Sequence, residues 1–317
     1  MLSFCEKSML TMYRITGKLT VALSISAAAI LIALGIQHRF FEQVWFRAEQ
    51  RFEIGHEAET TLWLPDYHTV IDALPIGHEK NMSALTFDAS RRTLVSLTNK
   101  DPYLVEMTLD GQLIRRIPME GFGDPEAIEY IRPGVYIVVE EGIHRLTEIH
   151  IDDDSQKVSR LDPLNARQLT LSDEDTNNQG FEGLAFDSRS QRLFIAKEKL
   201  PVQILEVDGF YNNSAEGALN LVVHTDIARD KYLPLTDLSS LHYEVNTGHL
   251  LALSDESEMI VELDMEGNLI SSFTLRAGNQ GLRKTVPQAE GVSMDDEGNL
   301  YVISEPNLFY KFSKKQS

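Results

Sequence analysis

From about residue 58 onward the chain alternates short apolar runs with polar clusters rich in Asp, Asn, Gly, Ser and Arg. Five segments share one layout: SALTFDASRRTLVSLTN (83–99), EAIEYIRPGVYIVVE (126–140), EGLAFDSRSQRLFIAKE (182–198), SSLHYEVNTGHLLALSD (239–255) and EGVSMDDEGNLYVISE (290–305). Each reads as two strands around a turn, the signature of a hairpin. Their starts lie 43, 56, 57 and 51 residues apart, the period of propeller blades rather than helical solenoids. Third and fourth strands follow, as in YLVEMTLDG and QLIRRIPM after the first unit and MIVELDMEG and LISSFTL after the fourth. Asp110-Gly111 and Glu266-Gly267 sit at the intervening turns, where such pairs favour reversal.

The pattern predicts an all-β, five-bladed β-propeller over 58–317 built from four-stranded antiparallel blades. The last unit ends at LFYKFSKKQS with three strands, and HTVIDALPI (68–76) is expected to supply the fourth. That closure leaves no long free edge. Six blades are the alternative, if the insertion 142–177 conceals a degenerate unit. No segment after residue 58 has a convincing helical period, which disfavours a parallel α/β fold.

Ahead of the repeats, Leu19 to Ile36 is an uncharged run of 18 residues, the lower end of membrane-spanning length. The expected layout is a cytoplasmic segment at 1–18, a transmembrane signal anchor at 19–37 and an amphipathic juxtamembrane linker at 38–57. A cleaved signal peptide is the rival reading. Ala27 to Ala29, however, lie mid-run and no small-x-small site ends it, which favours an uncleaved anchor. Lys7, Arg14 and Lys18 precede the run and Arg39, Arg47 and Arg51 follow, so charge alone leaves the orientation open. In the linker, Phe41, Val44, Trp45, Ala48 and Phe52 recur at helical spacing.

Charge narrows the partners. A net charge of −19 repels phosphate backbones and disfavours nucleic acid. Cations, cationic ligands or basic protein surfaces suit it better. The sole cysteine, Cys5, excludes a disulfide framework or a cysteine-based zinc site.

Acid recurs at the hairpin ends. A simple register sets Phe186 opposite Phe194 and Glu182 opposite Glu198. Since the first strand of a blade lines the central channel, equivalent positions should converge there. The opening set is Ser83, Glu126, Glu182, Ser239 and Glu290; the closing set is Asn99, Glu140, Glu198, Asp255 and Glu305. Asp237, Asp124, Asn81 and Asn178 lie just upstream. Converging carboxylates need a counter-charge, and an all-oxygen donor set suits Ca²⁺. Mg²⁺ keeps more waters, and zinc or copper would want His or Cys. The candidate ligands are Glu182, Glu290, Glu126, Glu198, Asp255, Glu305, Glu140 and Asp237. The competing structural reading is that strand-end acids sit in solvated loops and cap turns. Gly183 and Gly291 are expected to allow close backbone approach around a central ligand.

The stretches EGLAFD, AKEKLPVQILEV, DLSSLHYEVNTGHLLALSDES and PQAEGVSMDDEGNLYVISEPNLFYKF, with the N-terminal anchor, resemble the SdiA-regulated family of bacterial proteins. The resemblance runs over about residues 60 to 315. It implies a five-bladed propeller distantly related to NHL-repeat proteins, with a calcium site in the propeller. It also places the chain in the inner membrane, single-pass, with the propeller on the periplasmic side. Related calcium propellers include lactonases and phosphotriesterases, by analogy with which Glu182, Glu290 and Glu126 are the leading ligands.

Two functions remain open. One is a binding module whose channel holds Ca²⁺ and a small-molecule ligand or envelope protein. The other is a calcium-dependent hydrolase of an ester, lactone or phosphoester. The chain has no G-x-S-x-G motif or P-loop to supply other chemistry, and His242 and His249 stand singly.

Overall fold

The computed structural model describes residues 24–33, 35, 61–165, 167–171, 180–199, 201–211 and 221–314. Five sheets, each built on four antiparallel strands, make five blades. Blade 1 runs through Met82–Asp88, Thr93–Thr98, Tyr103–Met107 and Leu113–Glu120. Blade 2 uses Pro125–Arg132, Val135–Glu140, Arg145–His150 and Gln168–Thr170; blade 3 uses Phe181–Asp187, Arg192–Lys197, Gln203–Asp208 and Val222–Thr225. Blade 4 comprises Ser240–Glu244, His249–Ser254, Met259–Leu263 and Leu269–Thr274. Blade 5 combines Ala289–Met294, Leu300–Ser304 and Leu308–Lys314 with the first strand of the domain, Tyr67–Pro75. The N-terminal closing strand expected from 68–76 is thus in place.

Each blade's first strand packs against the first strands of both neighbours, and blade 5 returns to blade 1. Between every adjacent pair of blades lies one apolar cluster, such as Leu85, Met107, Tyr301 and Phe309 between blades 5 and 1. Both faces of a blade are therefore covered. This is why Thr93–Thr98 and Val135–Glu140 are buried at every position and show no solvent-side alternation. The polar turn residues act locally. Asp88 accepts from the Ser90 and Arg91 backbone N–H groups (2.8 and 3.1 Å) and Asp295 from those of Glu297 and Asn299 (3.0 and 2.8 Å), in the manner of Asx-turns.

The insertion 142–177 forms no sixth blade among the described residues. It supplies the outer two strands of blade 2 and Val158–Ser159, which pairs in parallel with Met119 and Glu120 on the outer edge of blade 1. A short helix, Ile227–Tyr232, corrects the expectation of no helix. Asp226 caps it by accepting from the Arg229 N–H at 3.0 Å, and six residues are too few to display a period.

Residues 24–33 are helical with exposed side chains; 1–18, 38–57 and the remainder of 19–37 lie outside the described residues, apart from position 35. Among the described residues no helix is long and apolar enough to cross a membrane.

Ring closure is latched just before the closing strand. The buried Glu262 carboxylate of blade 4 accepts the backbone N–H of Leu62 (2.7 Å) and of Trp63 (3.1 Å), together with the Ser271 hydroxyl. His249 Nδ1 lies 2.8 Å from the same carboxylate, and the Leu64 N–H reaches Ser271 Oγ at 2.9 Å. Replacing Glu262 with Ala orphans several buried donors at once, and the expected loss is about 3 kcal/mol or more in urea unfolding. A loss below about 1 kcal/mol would show that the latch does not hold the ring.

Gly183 and Gly291 do permit a close approach, but to the next blade rather than to a ligand. A Cβ on Gly291 would sit 2.8 Å from the Leu85 N of blade 1; one on Gly183 would sit 2.9 Å from the Leu241 N of blade 4. Gly291→Ala is expected to cost about 1–3 kcal/mol through overpacking, measured as a lowered denaturation midpoint.

Candidate functional site

The chain departs from regular pairing where each inner strand begins. Register skips a residue between Met82 and Ala84, Pro125 and Ala127, Phe181 and Gly183, and Ala289 and Gly291. Ser83, Glu126, Glu182 and Glu290 are therefore the extra residues of four β-bulges. In blade 4, Ser240 pairs with Leu253 while the Ser239 N–H also donates to the Leu253 carbonyl at 3.0 Å. A bulge re-aims a side chain, and here one recurs at the opening position of blades 1, 2, 3 and 5. The simple hairpin register is corrected accordingly: Phe186 faces Leu193, and Phe181 rather than Glu182 faces Lys197.

In blades 1, 2, 3 and 5 one backbone hydrogen bond fixes the closing residue; in blade 4 the Asp255 N–H donates to Ser239 Oγ instead, at 3.1 Å. The N–H groups of Asn99, Glu141, Glu198 and Glu305 donate to the carbonyls of Asn81, Asp124, Gly180 and Gln288 at 3.1, 3.1, 3.1 and 2.9 Å. Asn81, Asp124 and Gln288 take left-handed backbone to do this, with φ of 57°, 54° and 38°. The closing residue of blade 2 is therefore Glu141. Glu140 pairs with Pro125 one position earlier, is buried, and is bound by Arg145 (2.7 Å), Arg160 (3.4 Å) and the Gly123 N–H (2.9 Å). It belongs to the framework.

Carboxylates from different blades meet. Oxygens of Asp124, Glu126 and Glu141 lie within 4.8 Å of one another, as do those of Glu141, Glu182 and Glu198. Glu141 is common to both groups, and Gly180 makes its room: a Cβ there would lie 1.6 Å from Glu141 Cγ, while the Gly180 N–H donates to Glu141 Oε1 at 3.1 Å. Burial pushes Glu126 up to about 9, with Asp124, Glu141 and Glu290 adding to the rise and the Asn99 amide, 2.8 Å away, opposing it. Burial likewise raises Glu182, reinforced by Glu198, Glu290, Glu126 and Glu141. Glu290 is raised to about 8 by burial and then by Asp255, Glu305, Asp237 and Glu198. Blades 2, 3 and 5 thus place mutually repelling acids at one mouth of the channel.

The other candidates are less free. Asp255 accepts the Ala289 N–H at 3.0 Å. Asp237 is buried and accepts from the hydroxyls of Ser254 and Ser239 and the N–H of Glu256, so it contributes charge more than open oxygens. Glu305 is half-buried beside Glu290, and Asn178 lies outside the described residues. Lys199 bridges Glu198 (2.6 Å) and Glu256 (2.8 Å), a tethered counter-charge absent from the candidate set. His249 is committed to Glu262, and His242 is pushed down to about 4 by burial.

Counting residues could have found Glu141. In the other four blades the closing residue follows the opening one by 15 or 16 positions, and Glu140 falls one short.

An acid-rimmed channel at the centre of five blades defines the class: a five-bladed β-propeller with a clustered carboxylate mouth. The SdiA-regulated family model matches residues 59–313, and the chain belongs to that family. Among solved structures, a nidogen/laminin complex is 15% identical, covering 75% of this chain and 85% of its own, with TM-score 0.46. A luciferin-regenerating enzyme is 11% identical over 78% of this chain and 94% of its own, TM-score 0.46. The β-propeller domain of Myceliophteria thermophila Cps50 (Swd1) is 12% identical over 74% and 65%, TM-score 0.39. The fold assignment rests on the ring of five sheets itself.

The raised carboxylates set a pH dependence. Each binds its proton more tightly folded than unfolded, so the protonated form stabilises the fold at low pH. Without added cation, stability should fall as pH climbs from about 5 through 9, as Glu290 and Glu126 ionise. Melting temperatures in EGTA across that range check it; a flat or rising profile contradicts the repulsive cluster.

Proposed function

We propose that the channel mouth binds a calcium ion and, through it, a small-molecule ligand or envelope protein. The observation carrying this reading is the repeated bulge, at which Glu126 and Glu182 meet the closing carboxylates of Glu141 and Glu198 while Glu290 faces the charges of Asp255 and Glu305. Solubility requires acid on the surface but no fixed position in a repeat. The donors fit a hard cation: both clusters consist of carboxylates, and among the described residues no imidazole or thiol joins them.

Glu182, Glu126, Glu141 and Glu290 would hold the ion, with Glu198 available once Lys199 yields. A bound Ca²⁺ supplies positive charge that can polarise a ligand oxygen. The protein's own residues do the positioning: the bulges aim the acids, Gly180 seats Glu141, and Asn99 orients Glu126. Asp255 and Glu305 supply charge from the blade 4–5 side.

The uncharged run Leu19 to Ile36 supports an inner-membrane anchor, with the propeller in the periplasm where millimolar calcium is met more readily than in the cytosol.

Calcium titrated into EGTA-stripped full-length protein should bind saturably and raise the melting temperature. Glu182→Gln and Glu141→Gln should each weaken binding about tenfold or more, whereas Glu140→Gln should lower stability and leave calcium affinity near wild type. An unchanged melting temperature on adding calcium, or equal effects at positions 140 and 141, would sink the reading. A lactone and phosphoester panel on the same preparations separates ligand binding from hydrolysis.

A further inference from the structure

Beside blade 1, the segment entering its first strand and the turn at 99–102 enclose a cavity of about 290 Å³. This is the lower end of small-ligand size. Its chemistry opposes that of the carboxylate ring. Arg116 lies over the Tyr103 ring, 3.3 Å from its centroid, and its charge is met by the buried Glu79 at 3.1 Å and by Asp101 at 3.8 Å. Lys80 and Lys100 also line the cavity, and among the described residues neither ammonium has a hydrogen-bond or ion-pair partner. Two unmet positive charges therefore converge on one concavity in a chain of net charge −19.

We propose that this cavity binds a small molecule through an oxyanion group, a phosphate or a carboxylate. Lys80 and Lys100 supply the charge. Arg116, held flat by Tyr103 and Glu79, offers a planar donor whose orientation is set before the ligand arrives. The volume exceeds that of an inorganic oxyanion and leaves space for an organic portion.

The cavity is coupled to the ring through Asn81, which lines it. The Asn81 carbonyl accepts the Asn99 N–H at 3.1 Å, and the Asn99 amide donates to Glu126 at 2.8 Å. An anion here and a cation at the ring would occupy one rim. A molecule carrying both an anionic group and a neutral oxygen donor could touch both sites. The anion site itself stands without the calcium reading.

The test uses full-length protein stripped of calcium with EGTA and then dialysed into calcium-free, chelator-free buffer, so that neither the ring nor the chelator plays a part. Inorganic phosphate, phenyl phosphate and acetate are titrated calorimetrically. Saturable one-to-one binding is expected, with phenyl phosphate tighter than inorganic phosphate because the remaining volume is filled. Comparing phosphate with acetate identifies which oxyanion is preferred. The double variant Lys80→Ala/Lys100→Ala should weaken binding about tenfold or more, with an unchanged melting temperature, since both side chains are exposed. Lys284→Ala, an exposed lysine outside the cavity, should bind as wild type. Absence of saturable binding overturns the proposal, as does equal binding by wild type and the double variant or equal loss in Lys284→Ala. Calcium-induced melting shifts, measured separately, should be the same in wild type and the double variant, so either site can fail without the other.

Discussion

Tyr67 faces Lys314, and Thr69 faces Phe312, across a strand pair whose members lie at opposite ends of the domain. Bringing such distant segments together costs roughly 5 kcal/mol of loop-closure entropy on a logarithmic length law. The return is that blade 5 gains its fourth strand and all five interblade clusters become complete. Without that pairing, the apolar faces of blades 5 and 1 would meet water. Glu262 adds directional bonds where packing alone would leave the entering chain free to slide, and its buried carboxylate is met by several donors at once. Closure thereby fixes the spacing of the five inner strands and so the distances across the channel.

Those distances bring a problem that the fold alone does not solve. Two unit charges 4.8 Å apart repel by roughly 3–4 kcal/mol at an effective dielectric near 20. A few such pairs rival the whole stability of a domain. Burial raises Glu126, Glu182 and Glu290, and that repulsion adds to the rise. Protons, Lys199 or an external cation are the available remedies. Lys199 pairs with Glu198 and Glu256, which tempers the blade 3 side of the cluster. The basic cavity beside blade 1 stands close to this acid without neutralising it, so the rim carries both signs of charge.

Much of the architecture was legible because a propeller repeats itself. Alternating runs and turn residues marked the five hairpins, and the three-stranded end pointed to Tyr67–Pro75 as the missing member. What failed was register. A bulge adds one residue to one strand, and hydropathy does not record it, since the extra residue is flanked by the same apolar positions on either side. Hence equal spacing sets Phe186 against Phe194 where the fold pairs it with Leu193, and points to Glu140 where Glu141 closes blade 2. Asp237 looked like a ligand from its place upstream of a strand, yet its hydroxyl partners come from Ser239 and Ser254, whose approach only the folded chain reveals. The cavity formed by Lys80, Lys100 and Arg116 was invisible for the same reason: its walls come from three separate connections and strands.

The Leu62–Leu64 latch has a mechanical consequence. Tension on the chain N-terminal to Leu62 is delivered first to Glu262 and Ser271 of blade 4, and only afterwards to the edge strand of blade 5. The hydrogen bonds of that strand are thus shielded from being unzipped one at a time, and the load is shared between two blades joined by a common apolar cluster. A propeller pulled by its leading end would yield by losing this grip before it loses a strand.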